Sequence, residues 1–341
     1  MKLFNAITDV PGIQVGHAQD RQAQTGCTVI IPEVNTVGGV DQRGGAPGTR
    51  ETDALHTMHL VENVHGILLS GGSAFGLDAA GGVMRYLEER KVGFNTGVVR
   101  VPIVPAAIIF DLGLGRSDRR PDAEMGYHAC LNASPNPPEE GNVGAGTGAT
   151  VGKILGMGQS MKSGIGTASI YLGRGVVVGA IAAVNAFGDI LDPTSGTIVA
   201  GARSLKRGPI RIGEPGYFAD TMSVMRTLAG RTILSIAMRE HTVIAVVASN
   251  ARLNKEQTNK VAQMAQDGIA RAVRPAHTML DGDTVFALST GKIKADVNIV
   301  GAFAAEALAR AILRAVLTAR SVGDLPGAGD APSSVPSSQD A

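Results

Sequence analysis

Apolar positions along the chain fall into two rhythms. Short runs rich in Val, Ile and Leu occupy 27–31, 64–70, 108–110, 176–184, 232–237, 243–248 and 284–288, each bounded by Gly, Pro, Asn or Asp. Runs of that length and punctuation predict buried strands. Fewer, longer stretches carry a helical spacing. The clearest predicts a helix from 254 to about 273, where Val261, Ala265 and Ile269 recur every four residues beside Lys255, Glu256, Gln263 and Asp267. Asn254 can cap it, Gln257 can complete a capping box, and Pro275 stands just past its end. A second helix, about 297–320, carries Val300, Ala304, Ala307, Leu308, Ala311 and Ala315 on one face, yet is apolar round much of its circumference. That predicts cover on two sides. A third, about 74–90, opens with Gly and Ala, small enough to pack closely on a sheet.

Strands outnumber helices and do not alternate strictly with them, so the pattern predicts an α+β layered sandwich rather than a doubly wound parallel sheet. Residues 201–216, rich in Gly, Pro, Arg and Lys, read as an exposed connection. The segment after Ser321 is Pro, Gly and Ser without aromatics, the composition of a disordered tail. The expected organisation is one domain over 1–320 and a tail over 321–341.

Composition narrows the function classes. With 45 Gly, no Trp and 4% aromatics among 341 residues, the interior must be built from Val, Ile, Leu and Ala. The balance of 31 basic against 30 acidic side chains lacks the electrostatic footprint of a nucleic-acid or acidic-membrane binder. Cys27 and Cys130 can form one bridge at most, so no disulfide framework is implied. The first residues lack the apolar run of a secretory signal, and the longest apolar stretch, 175–186, is interrupted by Gly179 and Asn185. A cytoplasmic location is the default expectation.

Several local patterns invite chemical readings. The stretch Gly144-Ala-Gly-Thr-Gly-Ala-Thr-Val-Gly-Lys153 imitates a phosphate loop, but position 147 is Thr where that motif needs Gly, and Ile154 follows the Lys. A tightly packed loop, whose N–H groups could still line an anion or oxyanion pocket, is the better reading. His56 and His59 near Asp53 lack a third ligand and read as surface residues, so no metal is expected. Asp281-Gly-Asp283, ahead of a strand, reads first as a turn. At Arg239-Glu-His241-Thr242-Val the chain passes abruptly from polar residues into a buried strand that begins at Thr242. By propensity alone Thr242 simply starts that strand.

The segments His241-Thr-Val-Ile-Ala-Val-Val-Ala-Ser-Asn250 and Arg274-Pro-Ala-His-Thr-Met-Leu-Asp-Gly-Asp-Thr-Val-Phe-Ala287 change that balance. They resemble the self-processing family of L-aminopeptidase/D-esterase, the β-peptidyl aminopeptidases and the nylon-oligomer hydrolases. Further matches occur at Ile7-Thr-Asp-Val-Pro-Gly-Ile-Gln-Val-Gly-His17, at 41–53, at Leu69-Ser-Gly-Gly-Ser-Ala-Phe-Gly-Leu77 and at Ala183-Val-Asn-Ala186, so the resemblance spans about 7–320. It implies an αββα fold, shared with ornithine acetyltransferase, and a precursor that cuts itself before a Ser or Thr. Here that residue is Thr242, giving an α chain of 1–241 and a β chain from 242. The freed α-amine, which ordinarily titrates at about 7.7 to 8.0, can then serve as base to its own hydroxyl.

By the same resemblance, Asn185 matches the oxyanion-stabilising asparagine, Lys153 a lysine near the nucleophile, and Asp281 and Asp283 the carboxylates that orient it. Two positions differ. His241 precedes the scissile bond where Asn or Gly is usual, and Phe110 stands where the nylon-oligomer branch has Tyr, which implies different substrate contacts. The resemblance further implies a hydrolase acting on small peptides, amides or β-peptides without metal or cofactor, assembled as a homo-oligomer of processed units. Acyl transfer of the ornithine acetyltransferase kind and a non-cleaving, non-enzymatic homologue are the alternative readings.

Overall fold

The structure, a computed structural model, describes residues 3–207, 210–212, 216–228, 230 and 241–330. The strand predicted at 232–237 lies outside these residues, as does the chain beyond 330. Two five-stranded sheets face one another. The first contains β1 (Ile13–Asp20), β2 (Thr25–Pro32), β4 (Thr49–Arg50), β5 (Ile67–Ser70) and β6 (Ala106–Ile108), in the order β1-β2-β5-β6-β4. The second contains β3 (Val37–Gln42), β7 (Ile165–Tyr171), β8 (Val177–Asn185), β9 (Thr242–Ala251) and β10 (Thr284–Ile293), in the order β7-β8-β9-β10-β3. Helices α1 (Ala79–Glu89) and α2 (Ala123–Leu131) cover the outer face of the first sheet. Helices α3 (Lys255–Ala272) and α4 (Val297–Leu317) cover the outer face of the second. The αββα sandwich expected from the sequence is therefore the architecture found.

Period-two alternation explains why both faces of the central strands are apolar. Along β9, Val243, Ala245 and Val247 face α3 and α4, while Ile244, Val246 and Ala248 face the opposite sheet. All ten residues of β9 and all nine of β8 are buried. Each Val or Ile so enclosed contributes about 1.5–3 kcal/mol. The same alternation carries Asn185 and Thr242, at the paired ends of β8 and β9, to the inner face between the sheets.

Most predicted elements are present, with shifts that have local causes. The Asn254–Gln257 capping box forms as expected. Helix α4 is covered by α3 on one side and by β7 and β8 on another, which accounts for its broad apolar circumference. The helix predicted from 74 instead begins as a 3-10 turn over Ser73–Asp78 and becomes α-helical only at Ala79. Residues 201–216 are not wholly an exposed connection: Gly201 and Ala202 are buried, and Leu205–Arg207 pairs with Ile210–Ile212. The expected start of the tail is also displaced. Asp330 accepts a hydrogen bond from the Ser321 N–H at 2.5 Å, and Pro326 accepts one from Lys162 at 2.9 Å, so residues 321–330 belong to the packed body. Among the described residues, no helix is long and apolar enough to cross a membrane.

Candidate active site

The inner ends of β8 and β9 bring together most of the residues singled out in the sequence. Asn185 is the direct antiparallel partner of Thr242, and both are buried. The Thr242 hydroxyl donates to the carbonyl oxygen of His241, 2.5 Å away. That oxygen also accepts the Gly282 N–H at 2.7 Å, and the His241 N–H donates to the Leu280 carbonyl at 2.8 Å. The peptide bond joining 241 to 242 thus carries a hydroxyl on one side and a polarising backbone donor on its oxygen. A side chain on residue 282 would place its Cβ 2.5 Å from the Ala46 carbonyl oxygen and 2.9 Å from Thr242 Oγ1, so only Gly brings its N–H this close.

Asn185 is oriented by its neighbours. Its Oδ1 accepts from Lys153 Nζ at 2.7 Å and from the Thr150 N–H at 3.1 Å. Lys153 Nζ also donates to the Asn185 carbonyl at 2.9 Å. An ammonium can only donate, so the amide oxygen must face Lys153 and the NH2 must face the other way. There, Nδ2 donates to the Phe110 carbonyl at 3.0 Å, across the gap between the two sheets. Phe110 follows the end of β6, so the site is assembled from both sheets.

The two aspartates stand just ahead of β10 and are almost fully enclosed. Asp283 accepts the Val243 N–H at 2.8 Å with one oxygen, and the His277 N–H and Nδ1 at 3.1 and 2.8 Å with the other. Asp281 accepts from the Thr278 N–H and hydroxyl at 2.9 and 2.6 Å. Burial first, then the neighbouring Asp283 charge, pushes the Asp281 carboxyl up to about 6, against the pull of Thr278.

A carboxyl whose folded value exceeds its ordinary 3.8 favours the fold fully below about pH 4, and loses that contribution as pH rises through about 6. Asp281→Asn is expected to remove this dependence, stabilising the fold by about 2 kcal/mol at pH 7.5 relative to its effect at pH 4. Reversible urea unfolding at the two pH values, with Asp281→Asn placed in the single-chain Thr242→Ala background, checks it. Equal effects at both would mean that Asp281 does not titrate in that range.

Behind the site, Asp111 bonds Thr25 Oγ1 and the Gly72 N–H at 2.7 Å each. The fully buried Lys162 donates to the carbonyls of Ala149 and Ser163 at 2.8 and 2.7 Å. Burial drives both toward neutrality, raising Asp111 and lowering Lys162 to about 7. Lys162 fastens the Gly-rich loop, where a Cβ on Gly148 would lie 2.3 Å from the Gln24 carbonyl oxygen. The loop is a packing device that borders the site, in keeping with its failure as a phosphate motif. His56 and His59 are exposed, as expected. Among the described residues, no group of three or more His, Cys, Asp or Glu is placed to hold a metal ion.

The sequence did not single out Gly282, His277, Thr278, Phe187 or Lys162. Asp281-Gly-Asp283 was the available signal for Gly282: a Gly between two acidic residues marks a close backbone approach as well as a turn.

The family model described as Peptidase family S58 matches residues 5–328. An uncharacterized aminopeptidase of Mycobacterium tuberculosis is 43% identical, over 95% of this chain and 96% of its own. A 6-aminohexanoate-oligomer endohydrolase of Kocuria sp. is 30% identical, over 90% of this chain and 84% of its own. Among solved structures, the L-aminopeptidase D-Ala-esterase/amidase of Ochrobactrum anthropi, described as a variant of the Ntn hydrolase fold, superposes with a TM-score of 0.70 at 21% identity. It covers 94% of this chain and 88% of its own.

Proposed function

Since this chain belongs to peptidase family S58 and is a hydrolase, we propose that it cuts its own backbone between His241 and Thr242 and then works as an aminopeptidase or amidase with Thr242 as nucleophile. The observation that carries this reading is the scissile carbonyl itself, which meets the Thr242 hydroxyl at 2.5 Å and the Gly282 N–H at 2.7 Å. In the first step Oγ1 bonds to the His241 carbonyl carbon as the C–N bond breaks, and the Thr242 nitrogen takes up the hydroxyl proton. The Gly282 N–H supports the charge that develops on the oxygen. Water then splits the ester, leaving a carboxylate on His241 and a free amine on Thr242.

In turnover, the new amine accepts the hydroxyl proton, the hydroxyl attacks the substrate acyl carbon, and the amine returns a proton to the departing amine. Asn185 Nδ2 is the side-chain donor for that oxyanion, held in orientation by Lys153. Asp283 fixes the backbone after the nucleophile through the Val243 N–H, and Asp281, bonded to Thr278, anchors the turn whose Leu280 carbonyl and Gly282 N–H hold the His241 backbone before it. Small peptides and amides are the proposed substrates, and an acyl-enzyme the intermediate. Intact-mass measurement of freshly purified protein tests the first step. Dividing 35.0 kDa between 241 and 100 residues, it is expected to resolve chains of about 25 and about 10 kDa. A single mass near 35 kDa together with no amide hydrolysis would overturn the reading.

A further inference from the structure

Self-cleavage and turnover build the same ester. In one, Thr242 Oγ1 carries the His241 acyl carbon; in the other, the acyl carbon of a substrate. The alcohol oxygen sits on the same strand both times, so the acyl residue is delivered to the same place. His241 therefore occupies the position that the acyl residue of a substrate must take.

That position is shaped. The His241 side chain is buried, 2% exposed, and its ring packs on the Phe187 ring with centroids 5.1 Å apart and planes tilted by 44°. His241 also lines a cavity of only about 20 Å³, whose other side chains are Phe110, Leu114 and Met157 beside the polar Asp111, Thr150 and Lys153. Such a space holds about one water and no side chain. While His241 is in place nothing else fits; once it withdraws, it leaves a slot of ring thickness with an aromatic wall. The backbone partners suit an amino-terminal residue as well. The carbonyl of Leu280 accepts where the His241 N–H donates at 2.8 Å, ready for a substrate ammonium, and the Gly282 N–H meets the acyl oxygen.

We propose that the slot filled by His241 is the acyl side-chain subsite of the processed enzyme, selecting peptides and amides whose amino-terminal residue carries a flat ring, His or Phe. The proposal rests on the self-processing reading above. Phe187 is then the specificity-determining residue, since it supplies the ring face against which the side chain stacks.

The test uses processed wild-type protein with the p-nitroanilides of L-His, L-Phe, L-Leu and L-Ala. The expected kcat/KM for His and Phe exceeds that for Leu and Ala by about tenfold or more. Histidinamide is expected to inhibit competitively at concentrations about tenfold below alaninamide, a measurement that needs no variant. Phe187→Leu, which keeps an apolar side chain in this buried position, is expected to bring the ratio of Phe to Ala turnover to within about threefold. A processed, active enzyme that prefers Ala or Leu, or a ring preference untouched by Phe187→Leu, overturns the subsite while leaving self-processing intact. A single uncut, inactive mass overturns both.

Discussion

Thr242→Ala is expected to leave one chain of about 35 kDa whose amide hydrolysis falls at least about 10⁴-fold. Alanine removes the oxygen proposed to bond to the His241 carbonyl carbon, so by that mechanism neither the internal cut nor the later acyl-enzyme can form. The fold has little reason to change. Thr242 stays the first residue of β9, paired with Asn185 on β8, and the loss is one hydroxyl hydrogen bond, a cost of about 1 kcal/mol. Thr242→Ser keeps the oxygen and is expected to yield two chains and activity within about tenfold of the parent. Intact mass, thermal unfolding and an amidase assay check all three statements. Cleavage of the alanine variant at the same bond would assign the chemistry to another group.

Asn185→Asp is the second large effect, an expected fall in kcat of about 10²–10³ with KM nearly unchanged. Aspartate keeps the shape of the side chain and still offers oxygens to Lys153 and the Thr150 N–H. What disappears is the NH2 group, and with it the neutral donor at the inner end of β8. In its place stands an oxygen facing the Phe110 carbonyl, where the native amide donates at 3.0 Å. A donor needed only when charge develops on the acyl oxygen affects turnover and not binding, which is why kcat carries the change. Steady-state kinetics on processed protein separate the two. A change of less than about threefold would remove Asn185 from the chemistry.

The parts of this molecule that were legible in the sequence are those governed by local periodicity. The α3 capping box at Asn254 and Gln257, the apolar runs of β8 and β9, and the two covered sides of α4 all follow from spacing and side-chain type. Resemblance, not periodicity, singled out Thr242, because a Thr that opens a strand looks the same whether or not its hydroxyl does chemistry. What escaped notice depends on register between distant segments. Gly282 reaches the His241 oxygen only because residues 280–282 run alongside 241, and Phe187 meets the His241 ring only because β8 and β9 end together. Composition misjudged residues 321–330, since one acceptor, Asp330, ties back the chain at Ser321 in a stretch whose Pro and Gly content suggested none.

The order of strands in the second sheet bears on what the proposed cut would do to the molecule. Strands β9 and β10, downstream of His241, lie between β8 and β3, both upstream of it. The products of the proposed cut would be interleaved like fingers, so neither could leave without tearing hydrogen-bonded edges on both flanks. The proposed scission would thereby be decoupled from physical separation, and a nicked protein is expected to run as one body in ordinary buffer. Denaturant would erase that arrangement at a stroke: after the proposed cut, two strangers in solution would have to find each other by diffusion, where a single thread once folded upon itself. Maturation by the proposed cut would run in one direction, since a cleaved molecule once melted would lack the tether that guided its first assembly.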